Sequence, residues 1–412
     1  MNNRILNISF VVPCYNEMHS IKLTISEIVK SLEDLKIEYY EIIIIGAGVI
    51  GLAVARALAI QEKQSVLIIE KEMGFGQGIS SRNSEVIHSG IYYPPDSLKA
   101  KYCLQGRTKL YDFCRRNDVW YKKCGKLVVA QKDQETQLRS LWEQAKTNDV
   151  PEVRIIDHHE IRKLEPEVLA DSAMFVGCTG IISAHELMSA YHRISTHSDH
   201  DLLVKSTVIG AEPKGDTYIL QVEDSENMSY SVAARWIVNA AGLYSDRIAQ
   251  LLWGNTNHSY PNLSYSKGSY FKLSSKWRHR INRLIYPLPD KEHDSLGIHL
   301  TFDQSGDMKL GPDAAWLKNR SEDYDVSVDR LDAFYLAAKE YLPSLDPIDL
   351  SPDYSGIRPK LVEKSNEPSD FYIRHEPDYP GWINLIGIDS PGLTASLAIG
   401  EDVAQWIVNE SP

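Results

Sequence analysis

Residues Glu41 to Glu70 read EIIIIGAGVIGLAVARALAIQEKQSVLIIE, and this stretch decides the fold. The apolar run Ile42–Ile45 has the character of a strand buried on both faces. It passes directly into Gly46-x-Gly48-x-x-Gly51 and then into a segment with helical apolar spacing at Leu52, Val54, Ala55, Leu58 and Ala59. Ser65 to Ile69 supplies a second strand that ends on Glu70. The order strand, glycine turn, helix, strand, acid meets the requirements of dinucleotide binding. Gly46 permits the tight turn, Gly48 lets a pyrophosphate approach the backbone, and Gly51 lets helix and strand pack closely. Val49 and Ile50 open the helix whose N-terminal amides face the phosphates, and Glu70, followed by Lys71, stands where a carboxylate can accept from both ribose hydroxyls.

Working outward, 412 residues suit two intertwined domains with ample core. The net charge of −12 argues against a nucleic-acid partner, whose phosphates the average field repels. Hydrophobic and charged contents of 43% and 24% are those of a globular protein. The most apolar runs are far shorter than the ~20 residues a bilayer span requires. No secretory layout opens the chain, so the cytoplasm is the expected location, with a peripheral contact to the inner face of a membrane left open. The five cysteines include no CxxC pair, so reduced thiols are expected rather than disulfides or a zinc site. The histidine-rich strings DHHE (Asp157–Glu160) and HSDH (His197–His200) lack the helical spacing of metal ligands and are expected to be solvent-exposed; no metal site is assigned.

Residues 1–40 precede the glycine turn as a βα unit of their own. The string ISFVVPCYNE, the apolar stripe after it and YYEIIII resemble the opening of family 2 glycosyltransferases. Where that family continues into an acidic nucleotide and metal turn, this chain gives GAGVIG, so a fused remnant or added edge element is the expectation.

Beyond Glu70, residues 75–103 read FGQGISSRNSEVIHSGIYYPPDSLKAKYC. Ser80, Ser81, Arg82, Asn83 and Ser84 offer hydroxyls, an amide and a guanidinium suited to a pyrophosphate and a flavin edge. This passage resembles the flavin-proximal motif of the D-amino-acid oxidase-like superfamily, and SRNSEVIHSGIYY especially its L-2-hydroxyglutarate dehydrogenase/oxidase branch. The likeness runs on through CGKLVVA, TGIIS, NAAGLYSD, GIHLTFD, GPD, SGIRPKL and GIDSPGLTASLAIGE to the end of the chain.

The resemblance implies FAD as cofactor and an α/β (α+β) fold: a Rossmann-like FAD-binding domain with a central parallel sheet, interleaved with an antiparallel-sheet substrate domain. The expected division gives 41–120, 200–255 and 350–412 to FAD binding, and 121–199 and 256–349 to the substrate domain. Two strands are expected over Leu202–Val222, with Val208 beside the adenine. The buried strand Trp236–Asn239 ends in Ala240-Ala241-Gly242, a second small-residue turn able to approach the pyrophosphate. Antiparallel strands over Tyr260–Gly311 would roof the flavin, and Ala314–Leu342 reads as a helical stretch carrying a core stripe that includes Leu336. Gly356 lies in the strand SGIRPK. Gly392, Leu393 and Thr394 open a final helix whose amides can stabilise negative charge on a reduced flavin.

Oxidation of a 2-hydroxy acid, the reaction class this likeness implies, needs a base, a cation for the carboxylate and a held flavin. His299 is the expected base and His88 its flavin-side support. Arg358 is the expected carboxylate fork, Lys267 a second cation, and Tyr92 and Tyr93 candidate hydrogen-bonding partners. Oxygen, a quinone or another carrier would reoxidise the flavin. An amine or amino-acid oxidase of the same fold is the first alternative, since it needs similar cations and hydride geometry; a glycosyltransferase-related protein is the remote one.

Overall fold

The computed structural model describes residues 38–61, 64–198, 200–253, 261–289, 297–361 and 369–410. Most of the expected N-terminal βα extension therefore lies outside the described residues. The first described strand, Glu38–Ile45, begins before the expected boundary at residue 40 and pairs with its neighbour from Glu38 onward.

That strand is the centre of an eight-stranded sheet. Its Ile42 stands opposite Val66 of the parallel strand Val66–Ile69 on one side and opposite Trp236 of Ser229–Asn239 on the other. Trp382–Ile386 extends the parallel core from Ser229–Asn239, while Ser206–Lys214 and Thr217–Asp224 run antiparallel at one end. Period-two alternation explains the isoleucine run. Ile42 and Ile44 pack with the helices Val49–Ala59 and Gly392–Glu410, and Ile43 and Ile45 join Leu220, Ile237 and Ile248 on the opposite face. Expected as two strands, the Leu202–Val222 region holds three, because the chain breaks at Lys205 (φ 53°) between Asp201–Leu203 and Ser206–Lys214.

Glycine is required at two points of the turn. Gly46 has φ 104°, and a Cβ there would stand 2.5 Å from the Ala240 carbonyl oxygen. A Cβ on Gly51 would come within 2.0 Å of the Gly46 carbonyl oxygen, so only hydrogen lets helix Val49–Ala59 sit this close to its strand.

A second, nine-stranded sheet contains Leu263–Leu273, Met308–Leu310, Leu300–Phe302, Leu284–Pro287, Lys126–Ala130, Ser172–Val176 and Val153–Asp157. It is not purely antiparallel as expected: Leu284–Pro287 pairs in parallel with Lys126–Ala130. Strand Leu350–Leu361, grouped with the FAD-binding segments on sequence, pairs along its length with Leu263–Leu273 in this second sheet. Gly392–Glu410 then returns to the first.

Only Leu331–Lys339 of the expected helical stretch Ala314–Leu342 is α-helical, after a short 3-10 turn at Val328–Arg330. The polar residues before it dock outward instead of closing a helix: Arg320 pairs with Asp246, and the Tyr324 ring lies under Arg82 at 4.1 Å. Leu336, expected in the core stripe, is 64% exposed. His158, His159 and His197 are exposed, but His200 is buried, its Nδ1 3.0 Å from the Ser195 hydroxyl. No metal-binding cluster occurs among the described residues. No described helix is long and apolar enough to cross a membrane.

Candidate active site

The two sheets enclose a cavity of about 1220 Å³, larger than the ~300–1,000 Å³ usual for small-molecule sites, as a long cofactor together with a substrate requires. One end is built on the glycine turn. Glu70 Oε2 accepts the Ala47 N–H at 2.7 Å and Oε1 accepts the Glu72 N–H at 2.9 Å, which holds the buried carboxylate at the end of its strand. The Ser80 hydroxyl accepts the Val49 N–H at 2.9 Å and so ties the SSRNS loop to the helix N-terminus. Asn83 donates to the Ser80 carbonyl, and the Ser84 hydroxyl bonds the Tyr270 hydroxyl across to the second sheet.

Of the expected cofactor contacts, Gly46, Gly48, Val49, Ile50, Glu70, Lys71, Ser80, Arg82, Asn83, Ser84, Val208, Ala241, Gly242, Gly356, Arg358, Gly392 and Leu393 line this cavity. Gly51, Ser81 and Thr394 do not. Gly51 serves helix packing, and Ser81 turns its hydroxyl onto the Gln77 and Gly78 carbonyls. Thr394 accepts the His88 N–H at 3.0 Å and donates to the Val86 carbonyl, fixing His88 against the final helix. That helix carries no acid in its first turn, so its amides are left to an incoming negative group. The donors, the side-chain-free cradle at Gly46 and the length of the cavity fit FAD.

The other end is a cage of rings. His299, 5% exposed, stacks on Tyr286 with centroids 3.5 Å apart and 8° between planes. His88 places Nε2 3.1 Å from the Ser390 hydroxyl. Burial, with the nearby Lys126 adding to it, pushes the His88 imidazole down to about 3, so it stays neutral. Burial likewise pushes the phenols of Tyr92, Tyr93, Tyr270 and Tyr286 up, leaving them as neutral hydrogen-bonding groups. The Tyr92 hydroxyl has no hydrogen-bond partner among the described residues. Arg358 donates through Nη2 to the Asp313 carbonyl at 3.1 Å, while the Asp313 carboxylate is taken by Arg330 and the Ser269 N–H. Its guanidinium thus reaches the cavity with no ion pair among the described residues.

Lys267 departs from expectation. It does not line the cavity, and its Nζ is held 2.9 Å from Asp323. Strand alternation is the reason: Ser266, opposite Arg358, points inward, so its neighbour points away.

Sequence reading missed two groups. Lys126 is fully buried beneath the cage, its Nζ 4.7 Å and 4.4 Å from the Tyr92 and Tyr286 ring centroids, with no hydrogen-bond partner among the described residues; burial pushes it down to about 7. Asp389 lies between Lys99 Nζ at 2.9 Å and Lys360 Nζ at 2.7 Å. Burial alone would raise its carboxyl, but the two ammoniums overrule that and hold it at about 2. Lys99, Lys360 and Asp389 all line the cavity. Both groups stood in strings quoted above, CGKLVVA and SLKAKYC with GIDSPG, but nothing local marks a lysine as buried or paired.

Known proteins resemble this chain over most of its length. An L-2-hydroxyglutarate dehydrogenase, mitochondrial, from Arabidopsis thaliana is 35% identical over 94% of this chain and 88% of its own length. An L-2-hydroxyglutarate dehydrogenase from Indibacter alkaliphilus is 29% identical over 89% of this chain and 98% of its own. Among solved structures, an FAD-bound L-alpha-glycerophosphate oxidase from Mycoplasma pneumoniae superposes with a TM-score of 0.81 at 24% identity, covering 91% of this chain and 96% of that one. Glycine oxidase from Geobacillus kaustophilus gives 0.75 at 19% identity, covering 91% and 96%. The glycosyltransferase likeness of residues 1–40 finds no support in these relatives. The family model for FAD-dependent oxidoreductases matches residues 41–406, and the chain belongs to that family, DAO.

Proposed function

We propose that the protein oxidises a small 2-hydroxy acid of the L-2-hydroxyglutarate type to its 2-oxo acid. The observation that carries this reading is the Arg358 fork, which enters the same cavity as His88, His299 and the cofactor glycines and has no acidic partner there. The names of the relatives at up to 35% identity support the same substrate type.

FAD, when bound, supplies the acceptor for the substrate's α-hydride. In the proposed division of labour, Arg358 receives the substrate C1 carboxylate as a bidentate partner. His299 takes the hydroxyl proton. Surroundings that hold the His88 imidazole down to about 3 oppose an imidazolium and count against it as the base. It serves instead as a neutral hydrogen-bonding group, oriented by Ser390 and Thr394. The tyrosines exclude water and offer neutral hydroxyls. The N-terminus of helix Gly392–Glu410 stabilises negative charge that develops beside it.

Anaerobic mixing of the purified flavoprotein with L-2-hydroxyglutarate tests the reading. Bleaching of the flavin band within seconds is expected. Bleaching by amino acids, with none by 2-hydroxy acids, would overturn the substrate assignment in favour of an amine oxidase.

A further inference from the structure

The group Lys99–Asp389–Lys360 has no role in the chemistry above, yet all three residues line the cavity that holds it. Arg358 and Lys360 lie two apart on strand Leu350–Leu361. Both are half-buried and line the cavity, while Pro359 between them is buried on the other face. Strand geometry puts their Cα atoms about 6.6 Å apart along one face. In an extended five-carbon diacid the terminal carboxyl carbons are separated by four C–C bonds of ~1.5 Å, a zigzag span of roughly 5 Å. The spacing of the two strand positions is thus of the order of the separation between the two carboxyl groups of such a molecule.

Charge points the same way. Each ammonium has three donors. Asp389 forms an ion pair with each lysine through a different oxygen, and the trio keeps one net positive charge. Lys99 sits in the first turn of helix Leu98–Asn117, the end at which the helix dipole disfavours a cation. Asp370, also at this corner, is engaged by the Leu98 and Lys99 N–H groups at 2.6 Å and 2.9 Å and caps that helix.

We infer that Lys360, positioned with Lys99 by the shared Asp389, receives the distal carboxylate of a dicarboxylic substrate, so that this corner selects a 2-hydroxy diacid over a monoacid. The inference rests on the 2-hydroxy-acid reading of the site. Asp389 positions the pair: without it two ammoniums would face each other in a partly desolvated corner, and with it their net charge matches one incoming carboxylate.

The test uses the FAD-loaded enzyme and Lys360→Met, with flavin content checked against wild type. Binding of 2-oxoglutarate and of 2-oxobutyrate, which lacks the distal carboxylate, is followed by the shift each produces in the flavin spectrum. KM values for the two corresponding L-2-hydroxy acids are measured beside them. Losing one charged hydrogen bond weakens the diacid about tenfold or more, while the monoacid stays within about twofold. Lys360→Arg, which keeps the cation, should restore most of the diacid affinity and keeps the inference testable where Lys360→Met does not fold. Equal loss for both acids, or an unchanged diacid, overturns the inference alone. If wild type is reduced by neither 2-hydroxy acid, the substrate reading fails and takes the inference with it.

Discussion

Replacing Lys126 with Met removes an amine buried at 0% exposure and keeps a side chain of similar length. Burial moves this lysine from 10.5 to about 7, which corresponds to on the order of 5 kcal/mol against the charged form. The Cys103 and Cys178 thiols nearby offer no countercharge, since burial pushes them up as well, Cys103 to about 12. What opposes the penalty is the pair of tyrosine faces at 4.7 Å and 4.4 Å, together offsetting roughly 1–4 kcal/mol. A few kcal/mol of destabilisation remain at neutral pH.

The sign follows from linkage. Above 10.5 the amine is neutral in both folded and unfolded chains and costs nothing. As pH falls toward about 7 the unfolded chain gains the proton first, so wild-type stability declines relative to the variant by up to about 1.4 kcal/mol per pH unit, and the gap stays constant below that. Urea unfolding of the FAD-saturated proteins at pH 7, 8 and 9, followed by tryptophan fluorescence, should show Lys126→Met more stable at pH 7 and the gap narrowing steadily toward pH 9, with closure only above 10.5. Parallel stability curves across that range would refute the assignment of Lys126 as an uncompensated buried amine.

Three further changes probe the site. Gly51→Ala forces a Cβ to within 2.0 Å of the Gly46 carbonyl oxygen, and a preparation that purifies with a normal flavin-to-protein absorbance ratio would show that the turn tolerates it; loss of bound flavin is expected. Arg358→Ala should raise KM for mono- and diacids alike by about 10–100-fold while flavin content changes far less, and an unchanged KM would remove Arg358 as the C1 partner. His299→Ala should slow anaerobic bleaching by about 10²–10⁴-fold, and an undiminished rate would take it out of the role of base.

The cofactor half of the site was legible because its determinants are local. A buried strand, three glycines at fixed offsets, a helix and an acid all lie within residues 41–70, where chain connectivity alone brings them together. The small-residue turn at Ala240–Gly242 and the helix opening at Gly392 were legible for the same reason, each being a strand-to-helix junction. The substrate half was only partly so. Arg358 does line the cavity, but Lys267 was taken for a cavity residue although it faces Asp323, because the inward face of Leu263–Leu273 is set by its register against Leu350–Leu361 and not by the strand's own pattern.

The sequence by itself determined the glycine turn after Ile45, with the room and the amide donors that a dinucleotide needs, since both come from consecutive residues. Only the tertiary structure decided which side chains meet at the other end of the cavity. His88 meets Ser390 across 302 positions, Lys126 is roofed by tyrosines from two separate segments, and Asp389 joins a lysine from a helix to one from a strand. Charge, burial and hydrogen bonding at such points depend on groups that share no stretch of chain, so they come into existence only when the two sheets close on each other.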